Sequence, residues 1–207
     1  MLFTLENTDK EIMLRISCLL SGYPWDKAQR GIVDEKAWKL LENAWNEFDA
    51  LGDHYIVYPP MDERTVPAMM LHADHLEADS VIVSQFNYIQ PSNDYYYRRP
   101  DHERWASIVD DLKLAATRPG NERPIYVEAQ LNREGEKIED FTEMGLGQLG
   151  LTDRIGQASD IVFALYQNKE MRDNNMVQFG VVEARNSDKH NWHVITDYKN
   201  TTALEMM

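Results

Sequence analysis

Cysteine is almost missing from this 207-residue sequence, where Cys18 stands alone. That excludes an intrachain disulfide framework and any zinc site built on several thiolates. Basic residues are also scarce. Lys and Arg number 21 against 35 Asp and Glu, a net charge of −14, so bulk positive charge does not hold the chain on nucleic acid or a membrane. No apolar run approaches the roughly 20 residues a bilayer span needs. The opening Met1-Leu2-Phe3-Thr4-Leu5-Glu6 has no basic stretch leading into a long apolar one, so no signal peptide is expected. No G-x-x-x-x-G-K-[ST] phosphate loop, internal repeat or Pro/Gly/Ser-rich linker occurs. The expectation is a cytoplasmic chain in a reducing compartment, folded as one domain over 1–207. At 43% hydrophobic residues, it is long enough to bury a sizeable core.

What is present reads as alternating strands and helices. Leu2–Leu5 is a short apolar run. Ile12, Ile16, Leu19 and Leu20 then recur at helix period on one face, with Asp9 as the expected cap and Gly22-Tyr23-Pro24 as the stop. Residues 34–51 place Trp38, Leu41, Trp45 and Phe48 at helical spacing, opened by Asp34 and closed by Gly52. Tyr55–Tyr58, Ser80–Ser84 and Pro124–Ala129 read as strands, and Thr65–Leu76 and 101–116 as helices, the latter with Trp105, Ile108, Val109 and Leu112 inward. Three closely spaced strands follow at Ile161–Tyr166, Val177–Glu183 and Trp192–Tyr198. This order predicts an α/β fold with a mostly parallel sheet and C-terminal β strands. In such sheets ligands gather at the carboxyl ends of the strands.

Two motifs fail on context. Gly145-Leu146-Gly147-Gln148-Leu149-Gly150 spells G-x-G-x-x-G but follows the acidic Glu139-Asp140-Phe141-Thr142-Glu143. A dinucleotide fingerprint needs a strand before it and a helix after it, so a flexible loop is expected. His72 and His75, near Asp74 and Glu77, have no third ligand cluster beside them, and read as a solvated helix face rather than a metal site.

Several short segments, in order, do carry a resemblance. They are Phe3-Thr4-Leu5-Glu6 followed by Arg15, then Val81–Ile89, then Ala129-Gln130-Leu131-Asn132-Arg133. Ile155–Tyr166 and Glu183-Ala184-Arg185-Asn186-Ser187 complete the set. Together they resemble the DnaB-type replicative helicases, a branch of the RecA-like ATPases, across nearly the whole chain. The resemblance implies a RecA-like sheet flanked by helices and an ATP-driven activity in DNA replication. It also implies roles for three residues. Glu6, at a strand end, would orient or activate water; Gln130 would sense the γ-phosphate; Arg185 would be lent to a neighbouring subunit to stabilise transition-state charge. Taken without the resemblance, Glu6 is also readable as a capping or solvated acid and Arg185 as an ordinary surface charge.

The departures from that family are chemically specific. Its first strand, phosphate loop and following helix should precede the strand that opens this chain. Its metal-holding aspartate position is Ser84, which offers Mg²⁺ no carboxylate. The lysine beside its arginine finger is Glu183, and the glutamate of its "I-E-Q" is Gly156. The expectation is therefore an incomplete ATP site. The isolated chain would need no cofactor, and ATP and Mg²⁺ would bind only where a partner chain supplies the phosphate loop. The sheet edge beside Leu2–Leu5 and Val81–Ser84, left open by the absent strand, should then be an interface, unless the strand order is rearranged.

Nucleic-acid contact is expected, if anywhere, at Tyr95, Tyr96, Tyr97, Arg98 and Arg99. Stacking faces and guanidiniums mix there, a composition that suits single strands and equally an ordinary tyrosine-rich surface loop. Arg133 opens the loop that occupies the central-channel DNA position of these helicases, but that loop is acidic, with Glu134, Glu136, Glu139, Asp140 and Glu143. Two functions stay open. One is the C-terminal portion of a viral or mobile-element replicative helicase, with single-stranded DNA and other protein subunits as partners and no membrane. The other is a catalytically inactive helicase relative serving as a structural or interaction subunit.

Overall fold

The computed structural model describes residues 1–130, 138, 140–146, 153–186, 190–196 and 204–206. The chain divides into two compact units. The first, Met1–Asn7, Tyr55–Val162 and Val182–Asp188, is built on a sheet of β1 (Leu2–Thr4), β2 (Ile56–Val57), β3 (Val81–Ser84) and β4 (Ile125–Val127). The order is β2-β1-β3-β4 and every pair is parallel. The register aligns Leu2 with Ile56 and Ile82, and Ile82 with Tyr126. The expected parallel α/β sheet is therefore present. The expected open edge beside β1 and β3 is not, because these two strands hydrogen-bond directly to each other.

Helices α4 (Val66–His75) and α6 (Asp101–Ala116) pack in the same unit. Thr65 caps α4 by accepting from the Ala68 N–H, and Pro67 sits in the first turn, where its missing N–H costs nothing. The sheet face formed by Phe3, Val81 and Val83 meets Val66, Met69, Met70 and Ala73 of α4 and Ile108, Val109 and Leu112 of α6. Phe3, Met69, Val81, Val83 and Ile108 are fully buried, each contributing about 1.5–3 kcal/mol of hydrophobic stabilisation. Between β3 and α6 lies the single-turn helix α5 (Asp94–Tyr97), and α7 (Asp153–Ala158) adds Ile155 and Ala158 to the margin of the core.

The second unit, Thr8–His54, Phe163–Val181 and Lys189–Met207, holds α1 (Asp9–Ser21), α2 (Trp25–Gln29), α3 (Glu35–Asp49) and α8 (Lys169–Asp173). Asp34 caps α3 as expected, accepting from the Ala37 N–H at 2.7 Å. Gly22 ends α1 in the left-handed region at φ 69°. The cap of α1, however, is Thr8, which accepts from the Glu11 N–H, and Asp9 is the first helical residue. The buried face of α1 also differs from the periodic one. Ser17 and Cys18 are buried while Leu19 and Leu20 are exposed, because Cys18 packs with Ala28 and Leu41. In α3 the inward residues are Ala37, Leu41 and Ala44, and Trp38 is 60% exposed.

The strands β5 (Ile161–Tyr166), β6 (Met176–Ala184), β7 (Asn191–Thr196) and β8 (Leu204–Met206) form a sheet in sequence order, antiparallel from β6 to β8. Phe163, Phe179 and Trp192 stack in series across it, with centroids 5.3 and 5.7 Å apart.

Candidate nucleotide and nucleic-acid sites

Parallel strands in register bring their carboxyl ends to one margin of a sheet. Thr4 pairs with Ser84, and Val83 with Val127, so the residues just beyond β1, β3 and β4 converge there. At β1 the buried Thr4 hydroxyl donates to the Asn7 carbonyl at 2.5 Å, turning the chain so that Leu5 stays buried and Glu6 is exposed. At β3 the Ser84 hydroxyl donates to a Glu128 carboxylate oxygen at 2.9 Å. Gln85 follows at φ 70°, a left-handed conformation that costs a non-glycine residue about 1–2 kcal/mol. That turn delivers the Phe86 N–H to the Glu128 carbonyl at 2.8 Å and leaves the Gln85 amide 3.5 Å from the Glu128 carboxylate. Gln130, exposed, stands three residues beyond β4. Glu6, Ser84 and Gln130 thus gather at one end of one sheet.

Glu128 escaped the sequence reading. The alternation Tyr126, Glu128, Gln130 was its signal, since period 2 puts these residues on one face. It sets a carboxylate beside the Ser84 hydroxyl. Serine hydroxyl and carboxylate oxygens are donors of the kind Mg²⁺ takes. A nucleotide, by contrast, does not fit the described residues alone, because no glycine-rich cradle or lysine stands at these strand ends to meet its phosphates.

Arg185 lies elsewhere, one residue past β6, held within its own unit. Its N–H donates to the Asp160 carbonyl at 3.0 Å, and its guanidinium reaches Asp160 at 3.4 Å and the Gln157 carbonyl at 2.5 Å. Lys113 donates to both Asp160 oxygens at 2.7 and 2.9 Å. That hydrogen bond chiefly holds the Asp160 carboxyl below the usual carboxylate range, against the opposing effect of desolvation and with lesser help from the Lys113 and Arg185 charges. Gly156 is buried in α7, and a Cβ there would meet both Leu146 δ-methyls at 2.7 Å, so glycine suits the tight packing. Of the two histidines, His72 Nε2 pairs with Glu63 at 2.9 Å, while the neighbouring Asp74 is taken up by Arg123 and Arg118.

The tyrosine–arginine segment is a single helical turn rather than a loop, because the Asn93 side chain accepts from the Tyr95 N–H at 2.9 Å. Tyr95 and Tyr97 are exposed, and Tyr95 meets Tyr96 edge-on at 5.3 Å. Arg99 lies over the Tyr95 ring at 4.2 Å and pairs with Glu103 at 3.7 Å. Arg98 is exposed and forms no ion pair among the described residues. Asn132, Arg133 and most of the acidic loop, with Gly147 and Gly150 of the G-x-G-x-x-G spelling, lie outside the described residues.

The fold, a parallel sheet and an antiparallel C-terminal sheet, is shared with solved structures. A DnaB-like replicative helicase, solved in work on its interactions with primase, superposes at a TM-score of 0.81 with 18% identity over 99% of this chain. A second solved structure, an ATPase domain, superposes at 0.82 with 19% identity over the whole chain. The chain has the fold of a DnaB-type ATPase domain. A KaiC-like protein from Pyrococcus horikoshii lies further off, at 0.53 and 9% identity. The chain spans about half, 49%, of the DnaB-like helicase and 73% of the solved ATPase domain. No protein-family model and no curated protein matches the sequence.

Proposed function

We propose that this chain is a portion of a DnaB-like replicative DNA helicase acting in DNA replication, with an ATP site completed by another polypeptide segment. The observation that carries the reading is the likeness to a DnaB-like helicase and to a solved ATPase domain, at TM-scores of 0.81 and 0.82 over essentially the whole chain. The clustering of Glu6, Ser84 and Gln130 at the strand ends supports it. In this reading Glu6 orients the attacking water, Gln130 senses the terminal phosphate, and Ser84 stands at a degenerate metal position beside Glu128. Arg185 serves a neighbouring subunit's site. ATP and Mg²⁺ are bound by the assembly and not by the chain alone.

The single-strand contact is Tyr95–Arg99, with Arg133 as a further contact, and its usefulness depends on several copies arrayed around one strand. A cytoplasmic setting belongs to the same reading. Among the described residues no helix is long and apolar enough to cross a membrane. Partners in this reading are other protein subunits; the DnaB-like helicase above was solved in work on its interactions with primase. One observation favours a second reading, an inactive relative acting as a structural or interaction subunit. Arg185 is already engaged by Asp160 and Gln157 of its own chain. The test is ATP-dependent unwinding by the assembly purified from the chain's own source. Unwinding lost in Glu6→Gln supports the helicase; an assembly that neither unwinds DNA nor hydrolyses ATP supports the inactive relative.

A further inference from the structure

Two charged side chains are buried among the described residues, Arg123 at 8% exposure and Arg64 at 6%. Arg123 has its carboxylate in Asp74. Arg64 has none among the described residues. Its Nε donates to the Pro59 carbonyl at 3.1 Å, and its guanidinium carbon lies 5.1 Å from the centre of the Tyr58 ring. Nη1 and Nη2 hold no hydrogen bond or ion pair within the described residues. Unlike Nη1 of Arg123, neither is sealed from solvent. A charge buried this far is ordinarily paired. The adjacent carboxylate does not serve, because Glu63 is held by His72 Nε2 at 2.9 Å.

The sheet register places this arginine at a margin where ligands gather. Val57 of β2 pairs with Phe3 of β1, so Tyr58, Pro59 and the turn that follows lie at the carboxyl ends of the parallel strands. Gln90 is fastened to the same turn. Its N–H donates to the Arg64 carbonyl at 2.8 Å, and it forms a parallel bridge with Thr65. The Gln90 side-chain amide meets only the Met61 sulfur, at 3.8 Å, a weak acceptor that leaves the amide free to donate elsewhere.

We infer that Arg64 is a phosphate site, with the Gln90 amide as its second donor. The open Nη1–Nη2 edge of a guanidinium takes two oxygens side by side. A carboxylate has no oxygen left after that, whereas a phosphate keeps a third for Gln90. The net charge of −14 does not forbid it, since charges beyond about 10 Å are screened at 0.1 M salt. A nucleic-acid single strand and a free phosphate compound offer the same group. Two observations favour the strand. Tyr58 is 45% exposed beside the guanidinium, a face on which a base stacks. Gln90 also lies on the connection from β3 to α5, which carries Tyr95 and Tyr97. The choice of the strand rests on the helicase reading above; the phosphate site does not.

The test is NMR titration of the 207-residue chain, read at the Arg64 Nε–H and Tyr58 ring signals. The probes are a thymidine dinucleotide, inorganic phosphate, acetate and a glutamate-rich peptide. A saturable shift at Arg64 is expected from a phosphate probe, with a midpoint of about 1 mM or below. Acetate and the peptide should bind about tenfold more weakly. Saturation first by the dinucleotide, with Tyr58 shifting, identifies a strand as the source; saturation first by inorganic phosphate identifies a free compound. Arg64→Lys keeps the charge but loses the planar edge, and should weaken phosphate about tenfold. Gln90→Leu should weaken phosphate several-fold and leave acetate unchanged. The titration of the parent chain decides the matter even if a variant fails to fold. No saturation at Arg64 below about 10 mM, acetate or the peptide binding as well as phosphate, or phosphate binding indifferent to both substitutions overturns the inference. Saturation at Arg64 in a chain whose assembly turns over no ATP retains the site and removes the helicase. Unwinding by an assembly whose chain gives no response at Arg64 does the reverse.

Discussion

Asp74→Ala should strip a buried guanidinium of its carboxylate. The Arg123 side chain is 6% exposed and Asp74 29%. The Arg123 Nη2 donates to Asp74 at 2.5 Å and also contacts Asn121, whose amide donates to Asp74 at 2.6 Å. Nη1 is buried without a hydrogen-bond partner. Together these contacts fasten the turn between α6 and β4 to the end of α4. Removing one member of a buried pair costs about 3–5 kcal/mol, and the partial exposure of Asp74 with the retained Asn121 lowers this to about 2–3 kcal/mol. For a chain of this length that is a fall in melting temperature of roughly 4–12 °C. Arg118, which is 65% exposed and 3.3 Å from Asp74, adds little. The double variant Asp74→Ala/Arg123→Met should lie within about 1 kcal/mol of the parent, since it buries no unpaired charge. Urea titration of the four proteins in the cycle measures this. A single-variant loss below about 0.5 kcal/mol, the size of an ordinary surface change, or additive losses in the double variant, would refute the reasoning.

Three further outcomes are expected. Asp160 should titrate below an ordinary carboxylate by NMR, and Lys113→Ala should raise its midpoint. Because its folded value is depressed, its contribution to stability is present above the unfolded value of about 3.9 and is lost as pH falls through the folded value. Gly156→Glu should destabilise by about 1–3 kcal/mol through the Leu146 clash, with Leu146→Ala relieving it, as read by thermal melting. In fluorescence anisotropy with single-stranded DNA, the isolated chain should bind weakly or not at all. In the assembly, Arg98→Ala should flatten the salt dependence by about 0.7 per subunit in contact. Arg99→Ala should do so less, because Arg99 is spent on Tyr95 and Glu103; equal effects would contradict that assignment.

How much of this was legible in the sequence depended on which force set each feature. The span of α6, 101–116, and of β5, Ile161–Tyr166, emerged as read, because apolar spacing and turn residues determine such elements locally. The face of α1 did not. Periodicity favoured Leu19 and Leu20, but tertiary packing chose the smaller Cys18, which nests against Ala28 and Leu41. Trp38 likewise fits the stripe of α3 and yet faces outward. Thr8 and Asp9 are both good caps by type, and only backbone geometry separates them. Glu6, Ser84 and Gln130 were named from resemblance and strand ends, and the structure places them at one end of the parallel sheet. The Ser84–Glu128 contact needed the strand register, and the direct pairing of β1 with β3 needed the strand order, neither of which a single sequence specifies.

The most direct measurement of the central claim, an ATP site that this chain holds only in part, is Mg²⁺-dependent ATP turnover by the purified chain. Loss of one preorganised charge-stabilising group costs about 10²–10³ in rate, and the proposed reading removes several at once, since the sequence spells no G-x-x-x-x-G-K-[ST] loop and carries Ser84 at the proposed metal position. The expected result is no turnover above buffer and no tight nucleotide binding. Turnover by the chain alone, abolished by Glu6→Gln, would contradict the claim.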